Sequence, residues 1–109
     1  MLVEVTQKHI NEGFKGSCNH CPIARAINEA LRTNGFTSYF ATIGLDENFE
    51  AEVGICAYSD DTGVGKVFQI KNDRVSAFVN AFDGSTFPID PTHLEPFTFE
   101  LDMGRLACV

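Results

Sequence analysis

The sequence contains no tryptophan and no apolar run of the roughly 18 residues that a membrane-spanning helix needs. Its first residues, MLVEVTQKH, lack the basic and apolar regions of a signal peptide, so we expect a cytoplasmic protein that binds no membrane. Four cysteines without an export signal are then expected to be reduced thiols. The 44% hydrophobic and 21% charged residues exclude a disordered chain, and a length of 109 residues predicts a single domain, residues 1–109.

Lysine and arginine are absent from residues 36–65, although the whole chain has eight of them. With a net charge of −7, the chain lacks the clustered cations that nucleic-acid backbones and anionic membranes require. This excess of acidic residues is compatible with binding to a partner protein that has a basic surface. The candidate partner-binding residues of the segment are Asp46, Glu47, Glu50, Asp60 and Asp61. The alternative interpretation is that these acids are solvated loop residues that keep a small protein soluble.

Apolar periodicity predicts seven main elements in the order β, α, β, β, β, α, β, with a short extra helix, QKHINE, capped by Thr6. The first long helix begins at Pro22 and ends near Gly35, with Arg25, Glu29 and Arg32 together on its polar face. The predicted strands are residues 2–6, 37–45, 52–58, 65–71 and 97–101, and the second long helix starts after Asn72 or Asp73 and ends at Gly84.

Both long helices have a single apolar face, which favours packing of both on one side of a sheet. We therefore predict an α+β fold with two helices on a largely antiparallel sheet of four to five strands, with a ferredoxin-like variant as one form of it. Ten phenylalanines are expected to fill most of the core. The predicted core residues are Ile23, Ile27, Leu31, Phe78, Val79, Phe82, Phe97, Phe99 and Leu101.

One segment has side chains suited to chemistry, and it lies just before the first long helix. Its residues are Ser17, Cys18, Asn19, His20 and Cys21. In a redox interpretation, Cys18 and Cys21 form a C-x-x-C motif at a helix N-terminus, although a Gly-Ser loop precedes it instead of a buried strand. In a metal interpretation, Cys18, His20 and Cys21 need a fourth ligand such as His9 or His93, and no second ligand pair exists.

Two further interpretations of this segment involve no reactive thiol. In the structural one, Cys21 or Asn19 caps the helix and Cys21 packs as a small buried hydrophobe, and this is the interpretation we favour. In the other, the amides at the helix N-terminus bind a small anion with help from His20 or Lys15. We expect no metal and no cofactor. His9 is expected on the surface of the short helix, where it has no catalytic partner in the sequence.

Four motifs, in this order along the chain, resemble a type of small protein carried by phages and phage-like elements. The motifs are VTQKHINEG, CPIARA, VSAFVNAFDG and PFTFEL. Cys21 matches the pattern and Cys18 does not, which disfavours a two-cysteine redox site. The helix near Asp73 follows Lys71-Asn72 instead of the usual Leu-Pro. The resemblance implies a protein that acts in the infected host's cytoplasm, and it assigns no activity and no catalytic residue.

The sequence therefore predicts a small, non-enzymatic binding protein, since no Walker, Rossmann, G-x-S-x-G or H-E-x-x-H pattern occurs. The first hypothesis is a phage accessory protein that binds a host protein through the acidic segment 36–65 or through the proline-containing loop 85–96. The second is a pocket that takes a small anionic ligand at the helix N-terminus near Cys21-Pro22. A thiol redox or metal-binding protein is the third, and the oligomeric state is left open.

Overall fold

The computed structural model describes residues 1–14, 20–48, 50–57, 66–69, 72–82 and 94–101. It confirms the α+β class, with helices and strands mixed along the chain. The elements are β1 (Leu2–Val5), α1 (Gln7–Glu12), α2 (Pro22–Thr33), β2 (Tyr39–Leu45), β3 (Ala51–Ala57), β4 (Lys66–Gln69), α3 (Asp73–Phe82) and β5 (Phe97–Glu100). Within these ranges, no helix is long and apolar enough to cross a bilayer.

The described strands form two antiparallel sheets, one of β1 and β5 and one in the order β2-β3-β4. In the first, Val3 lies opposite Phe99, and in the second, Ala41 lies opposite Ile55. The prediction of one sheet of four to five strands is therefore wrong for the described residues. The ferredoxin-like variant is wrong with it, because that arrangement needs one continuous sheet.

At the outer edge of β2, a side chain of α2 takes the place of a neighbouring strand. The amide of Ala41 donates to the side-chain oxygen of Asn28 in α2, at 2.7 Å, instead of to another strand. A buried backbone donor needs a partner, and at this position a helix side chain provides it. Because α2 packs against both β1 and β2, it lies across the two sheets and joins them into one core.

The ends of α2 follow the local rules that predicted them. Cys21 is the N-cap, its Sγ accepts a hydrogen bond from the amide of Ala24 at 3.5 Å, and Pro22 is the first helical residue. Cys21 is 6% exposed and belongs to the hydrophobic core, which confirms the cap and the burial predicted for this residue. At the other end, Gly35 adopts a φ of 87°, which favours glycine and ends the helix.

The hydrophobic core contains most of the residues that the sequence predicted, but the expectation that phenylalanine fills most of it is wrong for the described residues. Only two of the described phenylalanines, Phe78 and Phe99, are buried, and most of the other core residues are Val, Ile and Ala. Ile23, Ile27 and Leu31 of α2 are fully buried, as is Phe78 of α3. The ring of Phe78 lies 5.8 Å from that of Phe82 and 5.6 Å from that of Phe97 between centroids. Of the nine predicted core residues, only Phe82 and Phe97 are half-buried; the other seven are buried.

Gly13, at the end of α1, lies against the first residue of α2. A Cβ atom on Gly13 would lie 2.5 Å from Cδ and 2.7 Å from the backbone nitrogen of Pro22, closer than atoms can approach. The proline ring and backbone cannot move aside without moving the start of α2. The close approach of the two helices therefore depends on glycine at this position.

We expect Gly13→Ala to lower the free energy of unfolding by about 1–3 kcal/mol, the usual cost of overpacking. Gly44→Ala is the matched control, because a Cβ on Gly44 would have no atom within 4 Å. The control should leave stability unchanged or slightly raised, since glycine is unfavourable within a strand. Urea denaturation of both variants measures this. Equal midpoints would show that α1 does not approach α2 as described.

Candidate binding cleft

An open cleft of about 540 Å³ lies between α1 and the polar face of α2. This volume is in the range of small-molecule sites, about 300–1,000 Å³. Its lining residues come from α1, from the turn before α2, from α2 and from β2. They are Lys8, His9, Glu12, His20, Arg25, Asn28, Glu29, Arg32 and Phe40. Most of these side chains are polar or charged.

Helix periodicity brings these side chains together. Lys8 and Glu12 are four residues apart, so they lie on the same side of α1. Arg25, Glu29 and Arg32 lie on one face of α2, as the sequence predicted. The structure places α1 beside that face. The short helix α1 and the polar face of α2 thus form two walls of the cleft.

His9 connects the two helices. Its Nδ1 accepts a hydrogen bond from the backbone amide of Thr6 at 3.0 Å, and its Nε2 lies 2.5 Å from Oε2 of Glu29. A backbone amide can only donate, so Nδ1 carries no proton. In the neutral ring the proton is therefore on Nε2, which donates to the Glu29 carboxylate.

The prediction of His9 as a surface residue is wrong, because His9 is only 7% exposed. The physical reason is the capping box at the start of α1. The Thr6 hydroxyl accepts a hydrogen bond from the amide of His9, and Nδ1 of the His9 ring accepts one from the amide of Thr6. This arrangement turns the ring inward, towards α2, where Glu29 satisfies its second nitrogen.

The cleft contains three cationic side chains that have no ion pair within the described part of the chain. They are Lys8, Arg25 and Arg32. Arg25 is held in place, since its Nε donates to the carbonyl of His20 at 3.1 Å and its guanidinium lies 5.7 Å from the ring centre of Phe14. Of the two acids in the cleft, Glu29 is bonded to His9. With three cations, two acids and neutral histidines, the cleft has a net charge of +1 in a chain of net charge −7.

Asn28 adds an oriented hydrogen-bond donor to the cleft. Its Oδ1 accepts from the amide of Ala41 at 2.7 Å, which sets the orientation of the side-chain amide. The Nδ2 group has no hydrogen-bond partner among the described residues, and its side chain lines the cleft. Two donor hydrogens of Nδ2 are therefore available to a ligand.

The segment before α2 is described only in part. Ser17, Asn19 and the first cysteine of the C-x-x-C pair, Cys18, lie outside the described residues. His20 lines the cleft, whereas Cys21 is buried and caps α2. Across the described ranges, no group of three or more His, Cys, Asp or Glu side chains is placed to hold a metal ion.

The acidic candidate residues lie elsewhere in the fold. Asp46, Glu47 and Glu50 occupy the turn between β2 and β3, and none of them lines the cleft. Asp60 and Asp61 lie outside the described residues, as does His93. Among the described residues, the acids of this turn are therefore separate from the cleft that His20 lines.

Of the cleft residues, sequence reasoning named only His20 as ligand-binding, and it treated Arg25, Glu29 and Arg32 simply as the polar face of a helix. It missed Lys8, Glu12, Asn28 and Phe40 altogether. The spacing of Lys8 and Glu12 on one side of a six-residue helix was a usable signal, because it indicated one polar face. The sequence contains no such signal for Asn28, because the orientation of its side chain depends on the amide of Ala41, thirteen residues away. Comparison with protein-family models, with curated proteins and with solved structures gave no significant match.

We expect His9→Ala to lower the free energy of unfolding by about 2 kcal/mol. The substitution removes half of the capping box and a hydrogen bond to a charged group, and Glu29 is exposed enough for water to offset part of the loss. Lys8→Ala, the adjacent exposed position on α1, is the control and should change little. Urea denaturation gives both values.

A double-mutant cycle separates the contact with Glu29 from the capping box. Glu29→Ala alone should cost less than His9→Ala, and the two effects should not be additive. Additive effects would show that His9 and Glu29 do not interact in solution.

Proposed function

We propose that the protein is a non-enzymatic binding protein whose α1–α2 cleft takes a small organic anion. The observation that carries the proposal is the presence of Lys8, Arg25 and Arg32 in one cleft without compensating ion pairs among the described residues. An anion bound between them forms charge-assisted hydrogen bonds, which are stronger than neutral ones. This develops the hypothesis of an anion pocket near the start of α2, and shifts its centre from the helix N-terminus to the polar face.

The other lining groups support a small-molecule ligand. Asn28 supplies oriented donors from the α2 side, and the half-buried ring of Phe40 supplies an apolar surface. Small-molecule sites commonly combine a few fixed polar groups with such a surface. Three cations are too few for tight binding to a nucleic-acid backbone, for which several phosphate contacts are needed.

The geometry around His9 supports binding in preference to catalysis. The Thr6 hydroxyl lies 3.1 Å from Nδ1 of His9, a distance also found between a nucleophile and its base. Nδ1, however, already accepts the amide of Thr6, and Oγ1 accepts the amide of His9. Both groups are used to cap α1, and Nε2 is bonded to Glu29.

The biological setting is also a proposal, based on the motifs that resemble a type of phage-borne protein. In that setting the protein acts in the cytoplasm of an infected host, and the anion is a host metabolite. A thiol redox or metal-binding role stays a distant alternative that depends on Cys18.

We expect inorganic phosphate or succinate to raise the melting temperature at constant ionic strength, because a ligand that binds only the folded state stabilises it. Arg32→Gln should weaken binding about tenfold by removing one charge-assisted hydrogen bond. Glu12→Gln should strengthen it a few-fold, because it removes one negative charge from the same cleft. Isothermal titration calorimetry measures both changes.

Arg32→Gln and Glu12→Gln form a matched pair, since each neutralises one exposed side chain of the cleft. Opposite changes in affinity place the anion between α1 and α2. Unchanged affinity in both variants places it elsewhere. If neither phosphate nor succinate, nor the hydroxylated anions tested below, stabilises the protein, the proposal fails.

A second candidate function is binding of a host protein with a basic surface, and the turn between β2 and β3 favours it. The Asp46 carboxylate accepts the amides of Asn48 at 2.8 Å and Glu50 at 2.9 Å, which orders the turn. Glu47 and Glu50 are exposed on this ordered turn. An ordered acidic turn presents its charges to a partner without a further loss of conformational entropy.

We expect a host protein retained by the immobilised wild type to be lost when Glu47 and Glu50 are both changed to Gln. Retention should also fall as salt is raised from about 0.1 M to 1 M, because the screening length drops from about 10 Å to 3 Å. Glu100→Gln, an exposed acid on β5, is the control. Equal retention by wild type and the double variant would reject this surface.

A further inference from the structure

We infer that the ligand of the α1–α2 cleft carries a hydroxyl group beside its anionic group, and that Glu29 accepts a hydrogen bond from this hydroxyl. The inference rests on the proposed function and narrows the ligand to hydroxylated organic anions. These include hydroxycarboxylates and phosphorylated polyols, which share an anionic group with a hydroxyl a few atoms away.

The orientation of Glu29 is the first support. Its Oε2 is bonded to Nε2 of His9, and His9 is itself held by Thr6, so the carboxylate has a defined direction. Oε1 has no hydrogen-bond partner among the described residues, and the Glu29 side chain is 61% exposed. Glu29 lines the cleft and its carboxylate is held at one oxygen, so Oε1 is an unused acceptor on a cleft residue.

The neighbouring residue offers the opposite kind of group. Asn28 precedes Glu29 on α2, and its side-chain amide is set by the amide of Ala41, leaving Nδ2 as a donor. The cleft thus has one oriented donor and one oriented acceptor on consecutive residues, with Arg25 and Arg32 on the same helix. A ligand with an anionic group and a hydroxyl can satisfy all of these groups together.

Electrostatics gives the second support. A carboxylate in a cleft for anions lowers the affinity for any ligand that only carries negative charge. Glu29 therefore weakens, without preventing, the binding of simple anions such as phosphate or succinate to Lys8, Arg25 and Arg32. A ligand hydroxyl that donates to Oε1 offsets this repulsion, and an analogue without the hydroxyl leaves the repulsion in place.

Two matched ligand pairs test the inference by titration calorimetry at constant ionic strength. Malate and succinate share a four-carbon dicarboxylate skeleton and differ by one hydroxyl. Glycerol 3-phosphate and propyl phosphate share a three-carbon phosphate skeleton and differ by two. In at least one pair, the hydroxylated member should bind about 10- to 100-fold more tightly, as expected for a hydrogen bond to a charged group. The pair that shows the preference identifies the anionic group as carboxylate or phosphate.

Glu29→Gln should reduce this preference about tenfold while the affinity for succinate or propyl phosphate rises, because the repulsion is removed. Glu12→Gln is the matched control, since Glu12 lines the same cleft without a bond to His9. It should raise the affinity of both members of a pair by the same factor. Urea denaturation of each variant checks that the fold is kept. If Glu29→Gln does not fold, His9→Gln replaces it, because this substitution frees the Glu29 carboxylate from its partner and should also reduce the preference for the hydroxylated ligand.

The outcomes separate the two proposals. Equal affinity within both pairs, or a preference that survives Glu29→Gln, overturns the inference and leaves the anion cleft standing. Failure of all four ligands to bind overturns the proposed function itself, and the inference with it.

Discussion

The contact between α1 and α2 is the constraint on which the cleft depends. A helix of six residues is too short to be stable by itself, so α1 exists only where tertiary contacts hold it. Gly13 lies against Pro22, the His9 ring joins the Thr6 cap to Glu29, and Ile10 packs against the hydrophobic core. Without them, the polar face of α2 would be an ordinary solvated surface with no second wall beside it.

The two faces of α2 have different roles, because the helical period of 3.6 residues places its apolar and polar side chains on opposite sides. Ile23, Ile27 and Leu31 are fully buried and fix the helix on the strands, while Arg25 and Arg32 project from the opposite side into the cleft. A binding group carried by a helix that is anchored in the core keeps its position better than one carried by a loop. The same burial that stabilises the domain therefore also orients the charges of the cleft.

Local features of the fold could be predicted because they depend on neighbouring residues alone. Thr6 caps α1, Cys21 and Pro22 begin α2, Gly35 ends it, and Asn72 accepts the amides of Arg74 and Val75 at the start of α3. Strand pairing could not be predicted in the same way, since alternation shows which residues face the core but not which strand lies next. The sheet prediction failed for this reason at Ala41, whose amide is paired with Asn28 of α2.

The sequence by itself determined the α+β class, the apolar faces of both long helices, the caps, and the buried state of Cys21. It also determined the polar stripe of Arg25, Glu29 and Arg32, although not its surroundings. Only the tertiary structure decided that His9 is buried, that Asn28 faces the edge of β2, and that Lys8 and Glu12 lie opposite the stripe. Caps and helix faces depend on residues within one or two turns, whereas a cleft requires the relative placement of elements, which is set by packing between distant residues.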